Sequence, residues 1–336
     1  MSASMLKLIR ASEWWQYKLA PVVALLVATT LVEHKALWPL WPAAALLLVA
    51  LAVCATYVSV INDLADGADD VAAGKRNRQL AYSRPAVLAL LGSAIAVGSA
   101  IAWWWRGQPL LIASYAGSWL AFSLYSVPPF RLKARALAGV LSDAAGAHLF
   151  PALAAILVAC GSHRPDRAWM AAAAVWAFAY GVRGILSHQL ADYDFDVLSG
   201  VRTFAACRPV TAVRFGAFVA FPLELVALVI VLWRIGEALP VVALGVYAIM
   251  LTGRVRSGLP LVVVRQKPDG TNVLHEYYDF FLPVALLLCA AERDWHALVL
   301  LAAFIALFPN GLSRMARRLA LMLRDAGREP RARTPS

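Results

Sequence analysis

A run of four carboxylates lies in the stretch INDLADGADD, residues 61–70. On an α-helix, Asp63, Asp66 and Asp70 fall within an arc of about 60°, because residues three and four apart share a face. Asp69 points away from that face. Three like charges repel one another, so a positive group is expected beside them. Oxygen ligands without histidine or cysteine favour a hard cation such as Mg²⁺; the alternative is a solvated helix end.

A second acidic run, HQLADYDFD, occupies residues 188–196. Asp192 and Asp196 are four residues apart and share a helix face, and His188 lies one turn before them. Asp194 is rotated by about 200° from that face. For His188, a hydrogen bond to a neighbouring aspartate is the simpler interpretation, and contact with a ligand is the alternative.

Basic residues accompany both acidic runs. GKRNR follows the first run at residues 74–78, FRLKAR lies at 130–135, and Arg202 follows the second run. Carboxylates alone would repel a phosphate, and basic residues alone could simply set membrane topology. The two together are typical of a diphosphate bound through Mg²⁺ and held by lysine and arginine. A diphosphate at a lipid boundary suggests that the ligand carries an apolar chain.

The elements that position these residues are membrane-spanning. Of the 336 residues, 61% are hydrophobic and 15% charged, and the mean hydropathy is +0.67. Such a composition indicates a multi-span membrane protein. The apolar runs are continuous rather than alternating, which favours helices over a closed barrel. They lie at about 18–34, 41–62, 85–105, 109–127, 137–160, 168–190, 211–233, 237–252, 278–291 and 295–309. The last two runs are short and divided by charged residues, so the sequence predicts an all-α, polytopic helical bundle of nine to ten spans.

Lysine and arginine concentrate in the connections after the second, fourth, sixth and eighth runs. The positive-inside rule therefore predicts that these connections and the N-terminus face the cytoplasm, with the site on that side of the cell inner membrane. The net charge of +11 has the same explanation, so no nucleic-acid partner is expected. Each acidic run follows the second helix of a group of four, which predicts two four-helix pseudo-repeats. We expect a membrane domain over residues 1–312 and a basic tail over 313–336.

Three ordered motifs resemble those of the UbiA family of intramembrane prenyltransferases. The first run matches NDxxDxxxD, beginning at Asn62. The second run matches DxxxD followed by GxxT, which ends at Thr203. Between them, YSVPPFRLKAR at residues 125–135 resembles the loop pattern YSxPPxRLKxR. The resemblance covers about residues 10–290.

The resemblance implies an all-helical bundle with a cavity open to lipid, and a prenyl diphosphate donor bound with Mg²⁺. By position in the motifs, the implied Mg²⁺ ligands are Asp63, Asp66, Asp70, Asp192 and Asp196. The residues implied to support the site or to contact the donor are Asn62, Lys133, Arg131, Arg202 and Lys18. His188 is a further candidate for contact with donor or acceptor. The implied reaction is prenyl transfer to a small, hydrophobic or aromatic acceptor.

Two other functions remain open from the sequence. A cyclase of the same fold would ionise the same diphosphate and need no acceptor, and the acidic motifs do not separate it from a transferase. A transporter or scaffold is disfavoured, because transporter charges lie more often at the bilayer midplane. The segment HEYYDFF, residues 275–281, is interpreted as an interfacial aromatic belt, with a place in the acceptor pocket as the alternative.

Overall fold

The computed structural model describes residues 9–72, 82–256, 261–266, 272–311 and 313, with residues 68–72 described by their backbone alone. These residues form helices and short turns and contain no β-strand, so the predicted all-α fold is confirmed. The helices are α1 (Ala11–Val32), α2 (Trp41–Ala72), α3 (Arg84–Trp104), α4 (Pro109–Ser126), α5 (Leu137–Cys160), α6 (Arg167–Ala191), α7 (Tyr193–Leu198), α8 (Phe204–Cys207), α9 (Pro209–Ile235), α10 (Ala238–Arg256), α11 (Leu282–Arg293) and α12 (Ala297–Leu307).

Seven of these helices are long and apolar enough to cross a membrane, namely α1, α2, α3, α5, α6, α9 and α10. Helix α12 is apolar but shorter. Each apolar run of the sequence overlaps one of the ten longer helices. The number of nine to ten spans and the pseudo-repeat stay predictions.

Inner and outer helices differ in burial. In the most apolar 18-residue stretch of each helix, the share of buried residues is 72% in α1, 67% in α5 and 61% in α6. The corresponding share is only 22% in α3 and 11% in α10. A helix that exposes apolar side chains on most of its surface is satisfied only in lipid, whereas the inner helices are buried against protein. The inner helices are therefore the ones that can enclose a site.

Prolines shape three of the helices. Pro151, Pro222 and Pro283 each follow a π-helical turn, at Ala145–Leu149 in α5, at Gly216–Ala220 in α9 and at Tyr277–Phe281 before α11. Proline lacks an N–H and its ring collides with the carbonyl four residues earlier, so the helix must widen or kink there.

Two carbonyls that prolines leave without a helical partner accept hydrogen bonds from side chains on α1 and α6. Gln16 Nε2 lies 3.4 Å from the carbonyl oxygen of Asp279, four residues before Pro283. Within α1, Pro21 frees the carbonyl of Tyr17, which accepts a hydrogen bond of 3.3 Å from the hydroxyl of Tyr180 on α6. These bonds join α1 to α6 and to the π-helical turn before α11.

A buried ion pair holds the segment between α10 and α11. Arg183 donates to both carboxylate oxygens of Glu224 at 2.6 Å, and both side chains are fully buried. Arg183 also donates to the carbonyls of Val263 and Val273, each at 3.0 Å. The hydroxyl of Tyr278 donates to Glu224 at 2.8 Å. This network fixes the segment against α6 and α9.

The interpretation of residues 275–281 as an interfacial belt is wrong for most of the segment. Tyr277, Tyr278 and Asp279 are fully buried inside the bundle. Both tyrosine hydroxyls have internal partners: Tyr277 donates to the carbonyl of Pro240 at 2.9 Å, and Tyr278 donates to Glu224. His275 instead lines the internal cavity.

Candidate active site

The first acidic motif lies on the last turns of α2 and meets the loop that follows α4. The ammonium of Lys133 contacts the carboxylate of Asp66, and Arg131 Nη2 lies 3.0 Å from the same oxygen. Lys133 Nζ is also 3.3 Å from Asn62 Oδ1. Lys133 is buried, so its charge depends on these oxygen partners. The sequence-predicted residues Asn62, Asp66, Arg131 and Lys133 therefore lie together.

The backbone of this loop is held in an uncommon conformation. Arg131 and Ala136 have φ angles of 36° and 48°, and residues other than glycine adopt such angles at a cost of about 1–3 kcal/mol. Gly139 of α5 packs directly on the 3-10 turn Leu132–Ala134, since a Cβ at 139 would lie 2.8 Å from the Cα of Lys133. The close approach of α5 therefore holds Lys133 next to Asp66.

The same loop is joined to the second acidic motif. Ala136 forms an isolated parallel bridge with Thr203, and its N–H lies 3.4 Å from the carbonyl of Arg202. The hydroxyl of Thr203 donates to Asp196 Oδ2 at 2.9 Å and accepts from the N–H of Ala206 at 3.1 Å, which caps α8. The three motifs that the sequence places far apart are thus connected through a few residues.

Asp192 and Asp196 keep their predicted helical relationship across the end of α6. The N–H of Asp196 donates to the carbonyl of Asp192 at 3.0 Å. Asp194 is exposed, in keeping with its position off the shared face. His188 Nδ1 lies 4.0 Å from Asp192 Oδ2.

Arg10, just before α1, stands between the two motifs and is a site residue that sequence reasoning missed. Its Nη1 lies 3.4 Å from Asp63 Oδ1, and its Nη2 lies 2.6 Å from Glu13. Burial opposes the charge of Arg10, but the carboxylates of Glu13, Asp63 and Asp192 outweigh it and raise its pKa above the ordinary value. Periodicity gave no signal for the place of Arg10 in the site, because Asp63 and Asp192 are distant from it in sequence.

Tyr125, at the end of α4, also lies between the motifs. Its hydroxyl is within electrostatic range of Asp66, Asp143 and Asp196. Asp143 lies inside α5, where a carboxylate within an apolar helix is itself a sign of function. That signal was available in the sequence.

A cavity of about 660 Å³ opens beside these residues. We call the end of the cavity nearest the acidic motifs its mouth. The mouth is lined by Arg10, Asn62, His188 and Asp192. Its deeper wall is largely apolar and aromatic, and includes Leu19, Leu51, Cys54, Ala55, Val58, Phe122, Ala147, Pro151, Tyr180 and Ile185. Lys18 also lines the cavity, with its ammonium 5.5 Å from the ring centre of Phe122. The arrangement suits a ligand with an anionic head and an apolar tail.

Not every predicted site residue lines the cavity or touches the others. Five predicted site residues lie in the contacts described above rather than on the cavity wall, namely Asp63, Asp66, Asp196, Arg131 and Lys133. Arg202 is exposed and joins the site through its carbonyl. The side chain of Asp70 lies outside the described residues.

The donor set is compatible with magnesium. Among the described residues, no three acidic, histidine or cysteine side chains come together as a closed metal site. Mg²⁺ usually takes one or two carboxylates and completes its shell with water and substrate phosphate. The all-oxygen carboxylates of two connected motifs fit that pattern.

The chain matches the family model of the UbiA prenyltransferase family over residues 20–267. It therefore belongs to the UbiA prenyltransferase family, as the three motifs predicted. No curated protein sequence matches the chain.

Solved structures share the fold. A UbiA homolog from Archaeoglobus fulgidus is 17% identical, with a TM-score of 0.57 over 91% of this chain and 100% of the other. A UbiA homolog from the same organism bound to DMAPP and Mg²⁺ is 15% identical, with a TM-score of 0.54 over 93% and 99%. One bound to GPP and Mg²⁺ is 15% identical, with a TM-score of 0.54 over 93% and 100%.

Proposed function

We propose that this protein is a Mg²⁺-dependent intramembrane prenyltransferase, which ionises a prenyl diphosphate and transfers the prenyl group to a small acceptor. Resemblance to the family favours an aromatic acceptor. The observation that carries the proposal is the junction of two acidic motifs with three basic side chains, Arg10, Arg131 and Lys133. This junction adjoins the mouth of a largely apolar cavity, which Arg10 itself lines. The Archaeoglobus fulgidus homologs bound to DMAPP or GPP with Mg²⁺ support the same ligand class here.

In this proposal the carboxylates hold the metal and the basic residues hold the diphosphate. Asp63, Asp66, Asp70, Asp192 and Asp196 are the proposed Mg²⁺ ligands. When bound, Mg²⁺ supplies a Lewis acid that offsets charge on the leaving diphosphate. Lys133, Arg131, Arg202 and Lys18 are the proposed donor contacts, with Asn62 orienting Lys133 and His188 flanking the mouth. Charge-assisted hydrogen bonds from these groups strengthen as the carbon–oxygen bond breaks.

The apolar wall of the cavity has a second role in the proposal. It binds the prenyl chain and keeps water from the allylic cation. Aromatic faces such as those of Phe122 and Tyr180 can lower the energy of a nearby positive charge.

We further propose nine to ten spans, with the motif end of the bundle facing the cytoplasm at the inner membrane and the membrane domain ending near residue 312. The Lys/Arg-rich connections support this orientation. Ser83→Cys and Ser199→Cys should react with an impermeant thiol reagent from the same side of oriented vesicles. Labelling from opposite sides would contradict a shared site.

The function is tested with purified protein in lipid nanodiscs. Prenyl diphosphates of several lengths are supplied with Mg²⁺, with or without a panel of phenols and dihydroxynaphthalenes, and products are identified by mass spectrometry. A prenylated acceptor supports transfer, whereas a cyclic hydrocarbon formed without acceptor identifies the cyclase alternative. Absence of diphosphate release from every donor would contradict both. Asp66→Asn serves as the matched inactive control.

A further inference from the structure

His148 faces the cavity from the π-helical turn of α5 and has no role in the proposed diphosphate site. On a regular α-helix, Asp143 and His148 would point about 140° apart. The turn Ala145–Leu149 instead winds as a π-helix, whose wider turn reduces that angle. Both side chains line the cavity. Such π-turns occur frequently at functional sites.

The imidazole of His148 is positioned by its neighbours on α6. It packs edge-to-face on Tyr180, with ring centres 4.8 Å apart and an interplanar angle of 80°. It also lies against Gly181, where an added Cβ would come within 2.9 Å of His148 Cδ2 and 3.1 Å of the Cα of Ala144. The glycine therefore leaves the space that the imidazole occupies.

His148 is available to accept a proton. Among the described residues, no protein group hydrogen-bonds its ring nitrogens, and no carboxylate lies within ion-pair distance. In contrast, His188 lies 4.0 Å from Asp192, and His296 lies 2.7 Å from Asp294. The neutral imidazole carries a lone pair on one ring nitrogen, which is the group that a base requires.

Two other cavity groups are less suited to this role. Asp143 lies on the diphosphate side, within electrostatic range of Tyr125 and His188. His275 is 3.4 Å from Asn272 Nδ2 and packs on Tyr180. His148 packs on Tyr180 and Gly181, in the apolar and aromatic part of the wall along which the prenyl chain would extend.

We propose that His148 is the catalytic base that takes the proton released when the allylic cation is quenched; this inference rests on the proposed function. Cleavage of the carbon–oxygen bond sends its electron pair out with the diphosphate. In transfer to an aromatic ring, ring π electrons form the new carbon–carbon bond. The C–H electron pair then restores the ring, and its proton goes to an imidazole nitrogen. Without an acceptor, a C–H pair beside the cation forms a C=C bond and its proton goes to the same nitrogen.

The test uses geranyl diphosphate and Mg²⁺ without acceptor, with wild type, His148→Gln and the matched control His296→Gln. Diphosphate release and the ratio of hydrocarbon to alcohol products are measured. The base role predicts that His148→Gln releases diphosphate within about threefold of wild type while the ratio falls at least about 10-fold, since water then captures the cation. His296→Gln should match wild type, and Gly181→Ala, which displaces the imidazole, should shift the ratio in the direction of His148→Gln.

An unchanged ratio in His148→Gln would overturn the role of His148 and leave the proposed function intact. Absence of diphosphate release from wild type would overturn both. Carbethoxylation of wild type provides a second readout that needs no turnover. His148 should be modified by diethyl pyrocarbonate and protected by geranyl thiolodiphosphate with Mg²⁺, whereas His296 should be modified in both states. Modification of His148 at the same rate with and without the bound analogue would also overturn the proposal.

Discussion

Lys133 and Asp66 form a direct ion pair between the loop after α4 and the first acidic motif. The Lys133 side chain is 7% exposed, whereas that of Asp66 is 19% exposed. The lysine charge is therefore shielded from water and directed at the motif. A diphosphate arriving at this point would find an ammonium already oriented, which lowers the cost of ordering it on binding.

Replacing Lys133 by alanine should weaken donor binding or slow ionisation by about 1.5–3 kcal/mol, the value of one charge-assisted hydrogen bond. Lys133→Arg keeps the charge but has a planar fork in place of a compact ammonium, so it should recover only part of the loss. Steady-state kinetics over a range of donor concentrations measure both effects. Arg208→Ala, which removes an exposed charge, is the control. Full activity in Lys133→Ala would assign the diphosphate contact to Arg131 or Arg202.

Asp66→Asn and Asp192→Asn should each lower the ionisation rate about 100-fold or more, since each removes a proposed metal ligand. Asp194→Asn should cost far less, because Asp194 is exposed and off the shared face. Diphosphate release at saturating Mg²⁺ provides the comparison. Equal losses of rate in Asp192→Asn and Asp194→Asn would mean that position on the shared helix face does not determine which aspartates bind the metal.

Arg10→Gln should have opposite effects on metal and donor. Removing the guanidinium leaves the carboxylates of Asp63 and Asp192 without its neutralising charge, so a lower Mg²⁺ concentration should give half-maximal rate. The donor KM should rise several-fold, because a positive charge near the diphosphate is lost. The raised pKa of Arg10 means that its charge is present well below that pKa and is lost only above it. The effect should therefore be constant between about pH 6 and 9. A rise in both the donor KM and the Mg²⁺ concentration that gives half-maximal rate would contradict this role.

Glu224→Ala should destabilise the fold by about 3–5 kcal/mol, because it leaves the fully buried Arg183 without its carboxylate. Denaturant unfolding in detergent measures the change. The double variant Arg183→Met/Glu224→Leu should recover much of the loss, although the carbonyls of Val263 and Val273 lose their donor. A change below about 1 kcal/mol in Glu224→Ala would mean that the pair contributes little.

The sequence predicts those parts of the site that depend on helical periodicity. Asp192 and Asp196 share a face because the helical repeat continues across the end of α6. The long apolar runs locate the helices for the same reason. The first apolar run starts at about residue 18 because charged and polar residues precede it, but α1 begins at Ala11. These polar residues are accommodated inside the bundle: Gln16 bonds to the carbonyl of Asp279, and Lys18 lines the cavity.

Other features depend on contacts that no local pattern contains. Arg10 reaches Asp63 only because α1 and α2 are packed together. Asp143 and His148 both line the cavity, although regular helical periodicity would point them about 140° apart; the π-turn that includes His148 changes this angle. The burial of Tyr277 and Tyr278 depends on Pro240 and Glu224, which lie on other helices.

The most direct test of one site built from both acidic motifs is calorimetric titration with geranyl thiolodiphosphate, a donor that resists ionisation. Wild type should bind it in Mg²⁺ and lose at least about 10-fold in affinity in chelator, as should Asp66→Asn and Asp192→Asn separately in Mg²⁺. Binding that is unchanged in chelator, or that depends on only one of the two motifs, would contradict a shared magnesium–diphosphate site.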